Sequence, residues 1–206
     1  ILLAEKYITS SCVISKNKVY KNGVTVFENK KTDLQSFLLS VYLHFDISYP
    51  KFYKMDNLCK LGWLASEILL KDELISIDHK AEEIGIVLSN ADSSLDTDLK
   101  YFETVKDIPS PGLFVYTLPN IMIGEICIRN HFKGPNAFFV SEHFDAGFIE
   151  KYVSNLLDNN MAAHCICGWV ELIREEYQAV LFLVEKEKKE SFHLFTVENM
   201  NKLIGT

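Results

Sequence analysis

An α/β fold is predicted by three observations. Short apolar runs of strand length recur along the chain. Between them lie longer segments whose apolar residues fall at helical spacing. Proline, glycine and asparagine turn signals separate the two kinds. Alternation of this sort implies right-handed crossovers, a mostly parallel sheet with helices on its faces, and an antiparallel hairpin near the C-terminus.

Tyr7 to Ile14 is rich in β-formers and reads as a first strand, and Val24-Thr25-Val26-Phe27 after the Asn22-Gly23 turn reads as a short second piece. Between Lys54 and Lys71, Leu58, Leu61, Ala65, Ile68 and Leu69 mark one buried face of a long helix. Ile84-Gly85-Ile86-Val87-Leu88 is apolar without alternation, which suits an interior strand covered on both sides, ending in a turn at Ser89-Asn90. Leu95, Leu99, Phe102 and Val105 mark an amphipathic helix stopped by Pro109 and Pro111. Asn120 is placed to cap a helix running through Arg129. Ala137 to Ser141 reads as strand, Phe148 to Leu157 as helix and His164 to Leu172 as strand. The tail reads as a hairpin, with Ala179 to Glu185 and Phe192 to Val197 joined by the charged turn Lys186 to Glu190.

With 206 residues, 48% hydrophobic and 24% charged, the chain has the composition of one globular domain, and no linker or repeat divides 1–206. Net charge −7 argues against nucleic acid as a partner, because phosphate backbones are held by clustered Lys and Arg. The five cysteines, Cys12, Cys59, Cys127, Cys165 and Cys167, sit scattered in apolar segments like reduced core thiols. Cys165-x-Cys167 lacks redox spacing and no second pair completes a zinc site, so neither metal nor cofactor is expected. No apolar run reaches the length of a membrane span, and Ile1 to Glu5 lacks the features of a secretion signal, so cytoplasm is the expected location.

One motif carries a family signature. Leu118-Pro119-Asn120-Ile121-Met122-Ile123-Gly124, then Phe132-Lys133-Gly134-Pro135-Asn136, resembles the stretch of the beta-ketoacyl synthases that leads into their nucleophilic cysteine. Phe52 to Asp56, Ile84 to Asn90 and His164 to Glu171 are similar to further family segments in the same order. The resemblance implies the N-terminal half of the thiolase-like fold. Pro119, Asn120, Gly124, Gly134 and Pro135 are then structural, with Gly124 letting a helix approach another backbone and Gly134-Pro135 shaping a turn.

Two departures limit what the resemblance can mean. Counting forward from Asn136 puts the family nucleophile on His143, and counting back from Gly147 puts it on Phe144; neither is cysteine. The family's second half, which holds the groups that polarise the thioester and drive decarboxylation, does not occur in these 206 residues. Neither the covalent nor the electrostatic step of the family mechanism has its groups. His143 reads either as a turn residue beside Phe144 or as a base or transient acyl acceptor at a strand-to-helix turn; Ser141 and Glu142 alternate faces and do not converge with it. His44, His79, His131 and His193 have no ligand spacing.

The expectation is therefore a degenerate synthase-like protein that acts as a structural or regulatory partner in a fatty acid, polyketide or aryl-polyene-type pathway. The alternatives are an acyltransferase or condensing subunit completed by a partner chain, and an acyl-chain or acyl-carrier-protein binding module. The resemblance implies pairing across a two-fold axis through Ala137, Phe138, Phe139 and Val140, as a homodimer or as a heterodimer with a complete ketoacyl synthase.

Overall fold

The structure is a computed structural model that describes residues 5–30, 32–73, 80–187, 189 and 193–205. His79 and Phe192 lie outside the described residues.

Among the described residues eight strands form one sheet: β1 (Tyr7–Ser15), β2 (Lys18–Lys21), β3 (Val24–Glu28), β4 (Ile84–Asn90), β5 (Asn136–Val140), β6 (His164–Ile173), β7 (Glu176–Glu185) and β8 (His193–Leu194). Their order is β3-β2-β1-β7-β6-β4-β5, with β8 beside β1. The helices are α1 (Leu34–His44), α2 (Asn57–Leu70), α3 (Leu95–Val105), α4 (Pro111–Phe114), α5 (Ile121–Asn130), α6 (Ala146–Asp158) and α7 (Val197–Ile204). Two apolar clusters cover the two sheet faces. One joins α1, α2 and α5 to Ile86, Leu88, Ile166 and Leu181, and the other joins α6 and α7 to Val87, Cys167 and Phe182. The α/β class with helices on both faces is thus as predicted.

The sheet is mixed. β4 pairs parallel with β5 and with β6, whereas β6–β7, β7–β1 and the β1–β2–β3 arm are antiparallel. The C-terminal hairpin sits earlier than its sequence signals suggest. β6 turns back at Arg174-Glu175 into β7, Arg174 adopts a left-handed conformation, and His193-Leu194 pairs with Tyr7-Ile8 instead of with β7. Glu176 to Gln178, half-exposed and partly polar, hide the start of β7 from an apolar-run criterion. Val197, expected at a strand end, begins α7 under the cap of Thr196, whose hydroxyl accepts from Asn199 N–H at 3.3 Å.

β4 is buried at every position, as its unbroken apolar run requires. It continues through Ser89 and Asn90, and the turn begins only at Ala91 because the Asn90 side chain bridges Ser93 N–H (2.9 Å) and Ser93 C=O (2.7 Å). α2 starts where Asp56 accepts from Cys59 N–H at 2.8 Å. Asn120, in contrast, is itself helical and makes no side-chain cap.

The helix marked by Leu95, Leu99, Phe102 and Val105 forms with its apolar side outward, and these four are exposed. Its buried residues are Asp96 and Thr97. Asp96 accepts from Arg174 N–H at 2.9 Å and from the Lys100 ammonium at 2.6 Å, and Thr97 donates to the Asp56 carboxylate.

Close approach falls on glycines other than Gly124, around which a Cβ would find open space. At Gly62 it would lie 1.9 Å from Met122 Sδ, where α2 crosses α5. At Gly134 it would lie 2.2 Å from the Ile84 carbonyl oxygen and 2.9 Å from that of Glu82, so the turn before β5 presses on the start of β4. Gly134→Ala should lower stability by about 1–3 kcal/mol, the scale of overpacking against an unyielding group. Chemical denaturation checks this, with Gly124→Ala as the control expected to be neutral or slightly stabilising because it sits inside a helix.

Candidate functional site at the C-terminal strand ends

Parallel β5, β4 and β6 deliver three loops to one end of the sheet, the place where open α/β sheets hold ligands. Glu171 of β6 holds the loop after β4, accepting backbone N–H groups from Ala91 and Asp92 on one oxygen and from Leu172 on the other. Ser141 N–H donates to Asn90 C=O at 3.0 Å, carrying the chain one residue past β5 before it turns into α6.

Both candidate nucleophile positions lie in that turn, and they differ. Phe144 points inward, half-buried, with its ring edge-on to Trp169 at 6.3 Å between centroids and packed into the second core. His143 is exposed. The Ser141 hydroxyl donates to the His143 backbone carbonyl at 2.9 Å and not to its imidazole, in keeping with the expectation that the two side chains do not converge. Asp145 closes the turn by accepting Phe148 N–H at 2.8 Å, occupying the helix start where an oxyanion would otherwise be received. Glu142 is exposed.

The thiols are elsewhere. Cys165 and Cys167 share one buried face of β6, and burial pushes both thiols well above their ordinary pKa. Burial likewise raises the Cys12 thiol to about 12 and lifts Cys59, which is held up further by the Asp56 carboxylate. The five cysteines are free and none is poised as a thiolate. Among the described residues there is no group of His, Cys, Asp and Glu able to hold a metal ion, and no helix long and apolar enough to cross a membrane.

The interface candidates occupy the last strand of the sheet. β5 pairs with β4 on one side, and among the described residues nothing pairs with its other edge. Phe138 packs into the first core and Phe139 faces the other side, edge-on to Phe148 and Tyr152 at 4.7 and 5.1 Å. Ala137 is half-buried and Val140 exposed.

A polar cluster that the sequence pattern did not mark lies at the opposite end of the sheet. His164 Nδ1 approaches Glu185 Oε1 at 3.4 Å, Thr9 and Lys189 donate to the same oxygen, and a groove of about 340 Å³ opens beside them. Burial raises the Glu185 pKa, but His164 and Lys189 outweigh it and hold the carboxyl below its usual value. The pairing depends on β6 and β7 being adjacent, which residues 21 positions apart do not announce.

No family model matches the chain, and no curated protein matches it. Solved structures do. The ishigamide ketosynthase/chain length factor superposes with a TM-score of 0.69 at 18% identity, over 91% of this chain and 63% of that one. A type II polyketide synthase acyl-carrier protein in complex with its hexaketide-bound ketosynthase gives 0.64 at 14% identity, over 89% and 63%. The ketosynthase ApeO in complex with its chain length factor ApeC, from Xenorhabdus doucetiae, gives 0.58 at 12% identity, over 90% and 80%. The chain spans 63% of the length of the first two.

His143→Ala should leave stability within about 0.5 kcal/mol, whereas Phe144→Ala should cost about 1–3 kcal/mol, less than a fully buried ring. Thiol titration with a disulfide reagent at neutral pH should label Cys127 first, all five reacting only on unfolding. The fold of the chain is that of the thiolase-like ketosynthases, the order of strands and helices that its Pro-Asn and Lys-Gly-Pro-Asn segments imply.

Proposed function

We propose that the chain is a non-condensing partner subunit of a ketosynthase in an acyl-chain-building pathway of the fatty acid, polyketide or aryl-polyene type. The observation that carries this reading is Phe144. An aromatic ring packed against Trp169 fills the strand-to-helix turn where the family places its thiol, and a phenyl group can neither attack a thioester nor carry an acyl chain. Solved relatives of the same fold include ketosynthases recorded with a chain length factor and one recorded with an acyl-carrier protein, which supports a partner role and contact with a carrier protein. The open edge of β5 supplies the contact. A strand added there would satisfy its outward backbone groups and cover Ala137, Phe138, Phe139 and Val140.

Incubation with acyl thioesters on a carrier protein should leave no acyl adduct, read by intact-mass spectrometry. An acylated peptide spanning Val140 to Gly147 would overturn the reading in favour of transfer through His143. Phe144→Cys should not create condensing activity, because a thiol alone supplies neither a decarboxylation site nor a base. Co-expressed with a complete ketosynthase from the same source, the chain should co-purify with it, and Val140→Asp, at the exposed end of β5, should break that complex while leaving the free chain folded.

A further inference from the structure

A groove of about 590 Å³ opens where the C-terminal ends of α1, α2 and α5 come together. Its lining is of two kinds. Phe45, Ile47, Ile68 and Leu70 are apolar, and Phe45, Ile47 and Leu70 stay only half-buried while packing on the first core. Lys71 and Arg129 add two cations. An apolar wall with a few convergent polar groups, at this volume, has the make-up of a small-molecule site.

Arg129 is held in place by groups other than a ligand. Its Nε and Nη2 each donate to Glu67 Oε2 at 3.2 Å, and its guanidinium lies over Tyr49 and Trp63, 5.2 and 5.9 Å from the ring centroids. Those two rings stack on one another at 5.1 Å, which gives the guanidinium a rigid support. Among the described residues its Nη1 makes no hydrogen bond. The Lys71 ammonium lies 5.1 Å over the Phe45 ring and, among the described residues, pairs with no carboxylate.

These contacts select the charge of a ligand. A cation would seek the aromatic faces, and those already carry Arg129 and Lys71. Glu67 is taken up by Arg129, and the other carboxylate of the lining, Asp46, is exposed. The helix ends are weakly negative, and Lys71 and Arg129 sit where they offset that. A carboxylate can take the free end of a preoriented guanidinium together with the Lys71 ammonium, while an apolar body removes Phe45, Ile47 and Leu70 from water.

We propose that this groove binds a small monocarboxylate with an apolar body, its carboxylate on Arg129 and Lys71 and its body along Phe45, Ile47 and Leu70. The assignment is independent of the partner reading above.

Isothermal titration calorimetry of the chain with octanoate tests it. Saturable binding of one equivalent is expected, with octylamine, octanol and inorganic phosphate each weaker by about tenfold or more, the scale of one lost charge-assisted contact or of the apolar body. Lys71→Gln should weaken octanoate by about tenfold and leave the thermal melt of the free chain unchanged, because its side chain is exposed. Glu67→Gln combined with Arg129→Gln removes the guanidinium without leaving a buried carboxylate unpaired, and should abolish binding. If that double variant does not fold, Lys71→Glu decides in its place, and it should bind more weakly than Lys71→Gln. Absence of saturable binding at about 10 mM octanoate, well above the range of a specific site, would overturn the proposal. So would equal binding of octanol or octylamine, or binding indifferent to the changes at Lys71.

Discussion

The contact of Gly134 with Ile84 is the constraint on which the rest of the structure depends. A missing side chain lets the turn before β5 rest on the first carbonyl of β4, and backbone bonds lock the start of all three parallel strands: Lys133 N–H to Ala81 C=O, Ile86 N–H to Pro135 C=O and Ala163 N–H to Glu83 C=O. Register follows from that clamp, since a strand shifted by one residue would turn its core face outward. Phe138 is thereby set beside Leu88, and Cys167 and Trp169 are set beside Val87 and Ser89. Everything at the far end of the sheet inherits this alignment.

At that far end the turn between β5 and α6 is filled by packing groups. Glu171, Asn90 and Asp145 hold backbone N–H groups, the work that fixes loops in place. The residue aimed inward between them is aromatic, and its partner is a tryptophan.

The two apolar features outside the core share one cause. Among the described residues β5 has a single neighbour, and α3 is pinned by its polar side, so both leave apolar groups in water at a cost that a covering surface would recover.

The sequence by itself determined the class of the fold, the place of β1, β4, α2, α5 and α6 to within a few residues, and the absence of cysteine at positions 143 and 144. Those features depend on local periodicity, turn residues and one motif, all of which lie within a short stretch of chain. Tertiary structure decided the rest. The position of the hairpin turned on β6 pairing with β7, and the outward apolar face of α3 turned on Asp96 and Thr97 finding partners at Arg174 and Asp56. A periodic pattern tells which side of a helix is apolar, but burial is decided by hydrogen bonds formed with distant segments. For the same reason counting could not choose between His143 and Phe144. Only the position of Trp169, on a strand more than twenty residues later, settles which of the two side chains turns inward.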